Sequence, residues 1–284
     1  MIGIISATIA LVGSIIAAII DLKTTEIPDR IPHSMIISGI VLWCIASIIS
    51  HNYWPILKSL IVGSAFLAFG FLLYYFGQWG GGDAKLLAAI GFLLPDLKIP
   101  HLQFAFPISF LLNLFFIGAI YALIYAIVLA IKNEKIICIF FRQLKSIANF
   151  LIIVFFILFV LFFALNFFIS TYFRQAINIP FFIIASFFSI LLISGLFIMW
   201  QFVNIVEKFG MRKRIPVSKL KVGDVLADSK LWEGVTKKEI TQIKKAKKFV
   251  WIKEGVRFAP AFPLALLFTF LLGDAFLLFF RFLI

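Results

Sequence analysis

Long apolar runs alternate with short polar segments along the whole chain. The runs lie at about 2–20, 35–50, 57–77, 105–131, 147–170, 180–204 and 258–280, with a shorter run at 84–94. A helix that crosses a bilayer needs about 20 apolar residues. The pattern predicts an all-α polytopic membrane protein with about eight transmembrane helices, in which 84–94 is a short or tilted crossing that extends toward Ile99.

The composition supports a membrane protein. Hydrophobic residues make up 63% of the chain, which holds 37 phenylalanines, and the mean hydropathy is +1.11. Soluble domains contain only about 45–50% apolar residues. The two cysteines, Cys44 and Cys138, are too few for a four-cysteine zinc site and too far apart in sequence to indicate a disulfide framework.

Positive charge is concentrated in two segments. Residues 207–257 contain 15 Lys and Arg against 6 Asp and Glu. The second segment holds Lys132, Lys135, Arg142 and Lys145 in a predicted loop. Basic residues that flank membrane helices remain in the cytoplasm, so both segments are expected there. Counting crossings back from them places the polar segment 21–33 and the glycine run before residue 83 on the same cytoplasmic side.

Four regions follow from these patterns. They are a membrane core at 1–131, a basic loop with an additional helix pair at 132–204, a basic cytoplasmic subdomain at 205–257, and a last crossing at 258–284. The subdomain is expected to be a small α+β unit. It has a strand and turn in "VSKLKVGDVLADS", a helix opened by a Thr236–Glu239 capping box, and a further strand in "KFVWIKEGVRF".

Two carboxylates stand out at predicted helix ends. Asp21 follows the first apolar run, and Asp83 precedes the short run at 84–94. Each also fits a structural role, Asp21 as a boundary residue and Asp83 as a helix N-cap. However, three consecutive glycines, Gly80, Gly81 and Gly82, stand before Asp83, and such a run permits close approach to another helix. We expect the two acids to meet, whereas Asp96, His51 and His101 are assigned to the outer face and only His33 lies near the pair.

A carboxyl pair of this kind has a definite chemistry. Two carboxyl groups a few Å apart do not both ionise at low cost, so they share a proton. One then acts as base on a water, and the other donates a proton to the departing amide. We expect no metal or other cofactor. The chain has no zinc-type His/Cys/Glu cluster, no G-x-S-x-G elbow and no phosphate-binding glycine loop.

These residues resemble the GxGD-type membrane aspartyl peptidases, and among them the archaeal preflagellin and prepilin peptidases. The similarity rests on "DLKTTEIPD" from Asp21, on "GGGD" ending at Asp83, and on the basic stretch followed by "RFAPAFPLALLFTFLLGD". The resemblance implies removal of a short basic leader from type IV pilin-like or archaellin precursors at the cytoplasmic face. It assigns Asp21 and Asp83 as the catalytic aspartates and Gly80 and Gly82 as the glycines of the motif.

The sequence departs from that family in one respect and leaves alternatives open. Archaeal preflagellin peptidases typically have six crossings, whereas this chain has an added hydrophobic pair at 147–204, so the precursor can be a pilin or an archaellin. Too few cysteines are present for the zinc insertion of bacterial relatives, so peptidase activity alone is expected. Intramembrane proteases of the presenilin and signal peptide peptidase type pair GxGD with Tyr-Asp, but Ile20 precedes Asp21 here. A non-enzymatic transporter is a further alternative.

Other charged residues have simpler explanations. Lys23 and Lys85, each two residues beyond an aspartate, are candidates for contact with substrate or with lipid headgroups. Asp29 is the reserve candidate should Asp21 not be catalytic. The basic cluster of Lys244, Lys245, Lys247 and Lys248 indicates attraction to anionic lipid rather than to nucleic acid. Asp274, within the last predicted crossing, receives no role.

Overall fold

The computed structural model describes residues 1–173, 178–229, 232 and 234–275. The chain divides into two units. One contains Met1–Tyr125 together with Lys213–Ile284, and the other contains Ala126–Arg212. The first unit thus joins the N-terminal helices to the basic C-terminal residues, which the sequence pattern had treated as separate regions.

Nine helices are present in the described residues. They are α1 Ile2–Thr24, α2 Arg30–Ile49, α3 Trp54–Tyr75, α4 Gly81–Leu93, α5 Phe106–Lys132, α6 Glu134–Tyr172, α7 Ile179–Gly210, α8 Lys237–Ala246 and α9 Ala261–Leu271. By length and composition, six of them, α1 to α3 and α5 to α7, can cross a membrane. The helices α4 and α9 are apolar but shorter. The predicted polytopic helical fold is confirmed, although the part of the last apolar run beyond residue 275 lies outside the described residues.

The short helix α4 is the centre of the first unit. Its residues Ala84 and Leu86–Leu93 are buried, and α1, α2 and α3 all pack against it. A helix that neighbouring helices surround in this way must be apolar on every side, which explains its continuous hydrophobic sequence. With 13 residues, α4 is about 20 Å long.

The C-terminal end of α4 receives hydrogen bonds from three other helices. The Ser6 hydroxyl of α1 and the Trp43 indole of α2 both donate to the Leu93 carbonyl, and the Ser59 hydroxyl of α3 donates to the Phe92 carbonyl at 2.7 Å. The last carbonyls of a helix have no partner within the helix, and in an apolar environment they need one. These donors stabilise the end of α4 at Leu93. The predicted extension toward Ile99 is therefore wrong.

Glycines on α3 permit α4 to approach closely. A Cβ atom at Gly63 would lie 2.3 Å from the Phe92 ring, and a Cβ at Gly70 would lie 2.8 Å from the Cα of Ala84. Both distances are shorter than any ordinary contact. Small residues at helix interfaces are the usual means of close packing between membrane helices, and here they bring the polypeptide of α4 against α3.

The second unit consists mainly of the long helices α6 and α7. Their contacting residues include Ile136, Ile205 and Val206. With 39 residues, α6 is about 58 Å long, and it contains Lys135, Arg142 and Lys145. The prediction of a basic loop before residue 147 is therefore wrong, because these residues continue the helix without a break.

Residues 212–253 form a small α+β subdomain. The strands β1 Arg212–Pro216, β2 Val225–Leu226 and β3 Phe249–Lys253 lie in the order β1-β3-β2, and β2 and β3 are antiparallel. The predicted strand at 249–253 is confirmed, whereas the segment at 217–229 contains only the two-residue β2 and β1 was not predicted. A core of six buried apolar residues lies between the sheet and α8: Val217, Leu220, Val235, Ile240, Val250 and Ile252.

The helix α8 begins with the expected capping box. The Glu239 carboxylate accepts the backbone N–H of Thr236 at 2.7 Å, and the Thr236 hydroxyl accepts the N–H of Glu239 at 3.4 Å. The hydrogen bonds from the backbone and the hydroxyl of Thr236 hold the pKa of Glu239 below its ordinary value.

Candidate active site

Asp21 lies in the last turn of α1, with its side chain directed into the protein. The residue is 6% exposed, and its Oδ2 atom accepts the backbone N–H of Ala259 at 3.2 Å. Its own carbonyl accepts the N–H of Thr25 at 2.8 Å, and Thr25 has a left-handed backbone that ends the helix. A buried carboxyl group with so few partners is costly to maintain, which favours a functional role over a simple helix boundary.

Asp83 lies in the first turn of α4. Its Oδ2 atom accepts the N–H of Gly80 at 3.2 Å, so the side chain helps to cap the helix. The amide dipoles of α4 also favour a negative charge at this end. The N-cap is Gly80 and not Asp83 as expected, so Asp83 caps the helix from its first turn. This role does not conflict with a catalytic one, because the same hydrogen bond fixes the carboxylate.

The structure holds the segments that carry Asp21 and Asp83 against each other, although the two residues are far apart in sequence. Two contacts join the segments that carry them. A Cβ at Gly82 would lie 2.9 Å from the Cβ of Ile27, and Lys85 Nζ lies 2.6 Å from Asp29 Oδ1. The segment after α1 is therefore held against the start of α4.

The three glycines before Asp83 differ in their surroundings. Gly80 is the N-cap of α4 with an extended backbone, and Gly81 and Gly82 are the first residues of the helix. Gly82 is the most crowded of the three, because a Cβ there would lie 2.9 Å from Ile27, whereas a Cβ at Gly80 would lie 3.2 Å from the Asp83 carboxylate and one at Gly81 would lie 3.8 Å from the Tyr74 ring. Close approach at Gly82 is the physical requirement that the motif meets here.

The two lysines that the sequence singled out have different surroundings. Lys85 pairs with Asp29, so each of these two residues has a partner within the protein. Lys23 is exposed in the last turn of α1, and it forms no ion pair with any residue that the structure describes. His33 is also exposed, at the start of α2.

Several site residues were missed by sequence reasoning. Trp79 is buried between the rings of Phe258 and Phe262, at centroid distances of 5.5 and 5.8 Å. Tyr121 on α5 lies near enough to Asp21 for an electrostatic interaction. Arg257 donates a hydrogen bond to the Leu22 carbonyl. Proximity to the "GGGD" motif could have indicated Trp79, but no local pattern indicates Tyr121 or Arg257.

The subdomain contacts both segments that carry the aspartates. The Trp232 indole donates to the Gly77 carbonyl at 2.8 Å, just before the glycine run. Glu26, five residues after Asp21, lies against Gly223, where a Cβ would be 2.5 Å from the Glu26 carboxylate. The basic subdomain is therefore part of the surroundings of the carboxyl pair.

The arrangement supports acid–base chemistry between two carboxyl groups. Two carboxyl groups that lie close together titrate as a unit and can share one proton. Among the residues that the structure describes, no group of three or more His, Cys, Asp or Glu side chains is placed to hold a metal ion. A protonated and an ionised carboxyl group together can activate a water molecule and protonate a leaving group.

Comparison with known proteins identifies similar sequences. Residues 8–127 match the type IV leader peptidase family. The chain is 34% identical over 96 residues to a preflagellin peptidase of Methanocaldococcus jannaschii. The aligned residues cover 34% of this chain and 41% of that protein. It is 32% identical over 136 residues to a preflagellin peptidase of Methanococcus voltae, covering 45% and 58%.

A third relative carries a different name. The prepilin peptidase EppA of Methanothermobacter thermautotrophicus is 29% identical over 113 residues, which cover 38% of this chain and 29% of that protein. The chain spans about half the length of the two preflagellin peptidases that it matches. The family match includes both Asp21 and Asp83.

Proposed function

We propose that this chain, whose residues 8–127 match the type IV leader peptidase family, is a membrane aspartyl endopeptidase. It removes a short basic leader from the precursors of type IV pilin-like or archaellin proteins. The observation that carries the proposal is the contact between the segment that follows Asp21 and the start of α4 at Asp83, through Ile27 with Gly82 and Asp29 with Lys85. The names of the relatives support the precursor class.

The reaction is a hydrolysis in which Asp21 and Asp83 share one proton. The ionised carboxylate accepts a proton from water while the oxygen of that water attacks the scissile carbonyl carbon. The protonated carboxyl group then donates its proton to the amide nitrogen as the C–N bond breaks. The new acid and amine contain all the atoms of the water, and the pair again holds a single proton, so this mechanism requires neither a metal nor an organic cofactor.

The site belongs at the cytoplasmic membrane face in this proposal. Lysines and arginines of the subdomain remain in the cytoplasm, and Trp232 and Gly223 of the subdomain contact the segments around the carboxyl pair. A site at the cytoplasmic membrane face can reach the scissile bond of a precursor whose apolar helix stays in the bilayer while its leader extends into the cytoplasm.

Anionic lipid is a second partner. Six exposed lysines lie on or next to α8, and none of them pairs with an acid in the described residues: Lys237, Lys238, Lys244, Lys245, Lys247 and Lys248. The apolar side chains of α8 are used in the subdomain core, which leaves the basic face to the solvent. Lysines beside a membrane attract anionic headgroups by about 1 kcal/mol each, and this accounts for the charge without nucleic acid.

The decisive experiment uses purified protein in lipid nanodiscs with two leader-bearing precursors, a pilin-like one and an archaellin. We expect Asp21→Asn and Asp83→Asn each to reduce cleavage at least about 10³-fold, and the double variant to be no worse than either, because the two groups act as a unit. Asp96→Asn is the matched control, since Asp96 pairs with Lys58 away from the site.

Two further observations complete the test. Cleavage in H₂¹⁸O should place one heavy oxygen in the new carboxyl end of the leader, and activity should persist in a chelator. Wild-type cleavage by either aspartate variant would refute the dyad. Failure of the wild-type protein to cut either precursor, with intact folding, would refute the proposed substrate class.

A further inference from the structure

A single short segment contacts both parts of the candidate site. Residues 254–260 connect β3 to α9 and follow the basic subdomain in the chain. The Arg257 guanidinium donates to the Leu22 carbonyl, and the Ala259 N–H donates to Asp21 at 3.2 Å. The next ring, Phe258, packs on Trp79 at 5.5 Å. The segment thus contacts Asp21 through Ala259 and, through Phe258, the Trp79 side chain that precedes the glycine run before Asp83.

Arg257 satisfies a defined need at the end of α1. The last carbonyls of a helix lack intrahelical partners and carry partial negative charge. The Asp21 carbonyl already accepts the Thr25 N–H, whereas the Leu22 carbonyl accepts the guanidinium. This contact places a permanent positive charge at the helix end beside the buried carboxyl group of Asp21, where an uncompensated negative charge is costly.

The other groups that face Asp21 do not supply such a charge. Asp83 on α4 and Tyr121 on α5 interact with it electrostatically, and both are neutral or negative in every protonation state. Lys23, on α1 itself, is exposed and two residues further along. Arg257 is a cation that lies near enough to Asp21 to favour its ionised form.

The hydrogen bond from the Ala259 N–H orients the Asp21 carboxyl group. A backbone N–H is fixed by the chain, so it holds the Oδ2 atom in one orientation. The buried Ala259 stands between Phe258 and the start of α9 and is itself 0% exposed. Movement of Arg257 would therefore shift the N–H that orients Asp21, because only one residue separates them.

We propose that Arg257 is a positioning residue for the reaction, which holds the end of α1 and the Ala259 N–H so that Asp21 keeps its orientation and its negative charge beside Asp83. The inference rests on the proposed peptidase function. Arg257 also connects the basic subdomain to the end of α1, since it follows the last residue of β3 by only four positions.

The test compares Arg257→Gln, Arg257→Lys and the wild type in the nanodisc cleavage assay over a range of pH. Without the cation the ionised form of the carboxyl pair is less favoured, so the acid limb of the kcat profile should shift by about one pH unit toward higher pH. The Gln variant should lose about 10- to 100-fold in kcat, with KM changed less than about threefold, because the loss is one of orientation.

The Lys variant separates charge from geometry. It keeps the positive charge but lacks the planar fork of the guanidinium, so its pH profile should match the wild type while kcat recovers only partly. Lys213→Gln is the matched control, because Lys213 is a cation of the same subdomain that pairs with Glu254 at 2.8 Å. It should retain the wild-type profile.

Several outcomes overturn the proposal. They are wild-type kcat and pH dependence in Arg257→Gln, or a loss of activity without a pH shift in that variant. A folded Arg257→Lys variant whose cleavage rate does not exceed the background without enzyme would also refute it. If the Gln variant does not fold, Arg257→Met provides the neutral comparison, and the Lys profile is measured in any case. Inactive aspartate variants with unaffected Arg257 variants refute only this inference, whereas active aspartate variants refute the peptidase mechanism itself.

Discussion

Lys85 on α4 and Asp29 at the start of α2 form an ion pair of 2.6 Å that connects two segments of the candidate site. Lys85 lies two residues after Asp83, and Asp29 lies eight residues after Asp21. The pair therefore connects the start of the buried helix to the segment that follows the other aspartate. This contact gives a structural alternative to the idea that Lys85 binds the precursor.

A charge exchange distinguishes these two roles of Lys85. We expect Lys85→Asp and Asp29→Lys each to reduce kcat, and the double variant to recover most of the loss, because the pair is restored with the charges exchanged. A partly exposed pair contributes only about 0.5–1 kcal/mol, so the coupling measured in thermal unfolding should be small. If Lys85 binds the precursor instead, KM rises in every variant without Lys85, and the exchange restores nothing.

Gly82 is expected to be the least replaceable glycine of the run. A Cβ there would lie 2.9 Å from Ile27, whereas the nearest atom to a Cβ at Gly81 would be 3.8 Å away. Gly82→Ala should therefore displace the start of α4 with Asp83 and reduce kcat about 10-fold or more, while Gly81→Ala should stay within about threefold. Cleavage rates measure both effects.

A second-site change checks the cause of the Gly82 effect. Ile27→Ala removes the atoms that a side chain at residue 82 would meet, so the double variant should recover part of the activity lost in Gly82→Ala. Equal activity of the Gly81 and Gly82 variants would contradict the steric explanation.

The packing of α3 against α4 gives a stability prediction. Gly63→Ala places a methyl group 2.3 Å from the Phe92 ring, and overpacking of this kind costs about 1–3 kcal/mol. The matched control is Gly195→Ala in α7, where no atom lies within 4 Å of the added Cβ. Thermal unfolding in one detergent should show a lower midpoint for the first variant and an unchanged or higher one for the second. Equal midpoints would count against the close approach of α4.

The capping box of α8 predicts a local dependence on pH. Hydrogen bonds from Thr236 hold the pKa of Glu239 below its ordinary value, so this carboxylate stabilises the helix start above the pKa that it has in the unfolded chain. The stabilisation is lost as the pH falls through the lower pKa of the folded state. Hydrogen exchange of the amides at 237–241, corrected for the intrinsic rate, should show increasing opening of this turn at acid pH.

The control for this prediction is Glu239→Ala. Without the carboxylate, the first turn of α8 should exchange faster at neutral pH and show little further change on acidification. An acid response of the same size in that variant would assign the effect to another group.

Local sequence features determined most of the membrane fold. The length and apolarity of each run are sufficient to predict a helix, because a membrane helix satisfies its backbone hydrogen bonds within itself. The positions of Asp21 and Asp83 at helix ends and the glycines before Asp83 are equally visible in the sequence. The Thr236–Glu239 cap was also predictable, since both partners lie within one helical turn.

The basic residues near 132–146 show where local interpretation failed. Their charge suggested a loop, yet Lys135, Arg142 and Lys145 lie in α6. Lysine and arginine are good helix formers, so charge alone does not end a helix.

The amino-acid sequence by itself determined the apolar helices and the two acids at their ends, because these follow from short-range patterns. Only the tertiary structure decided that α4 is enclosed by α1, α2 and α3, and that Arg257 and Ala259 reach the end of α1. The contacts of Arg257 and Ala259 with α1 join residues more than 230 positions apart. Which of the chain's 26 Lys and Arg residues meets a given helix end depends on how distant surfaces pack, and that information is absent from any local pattern.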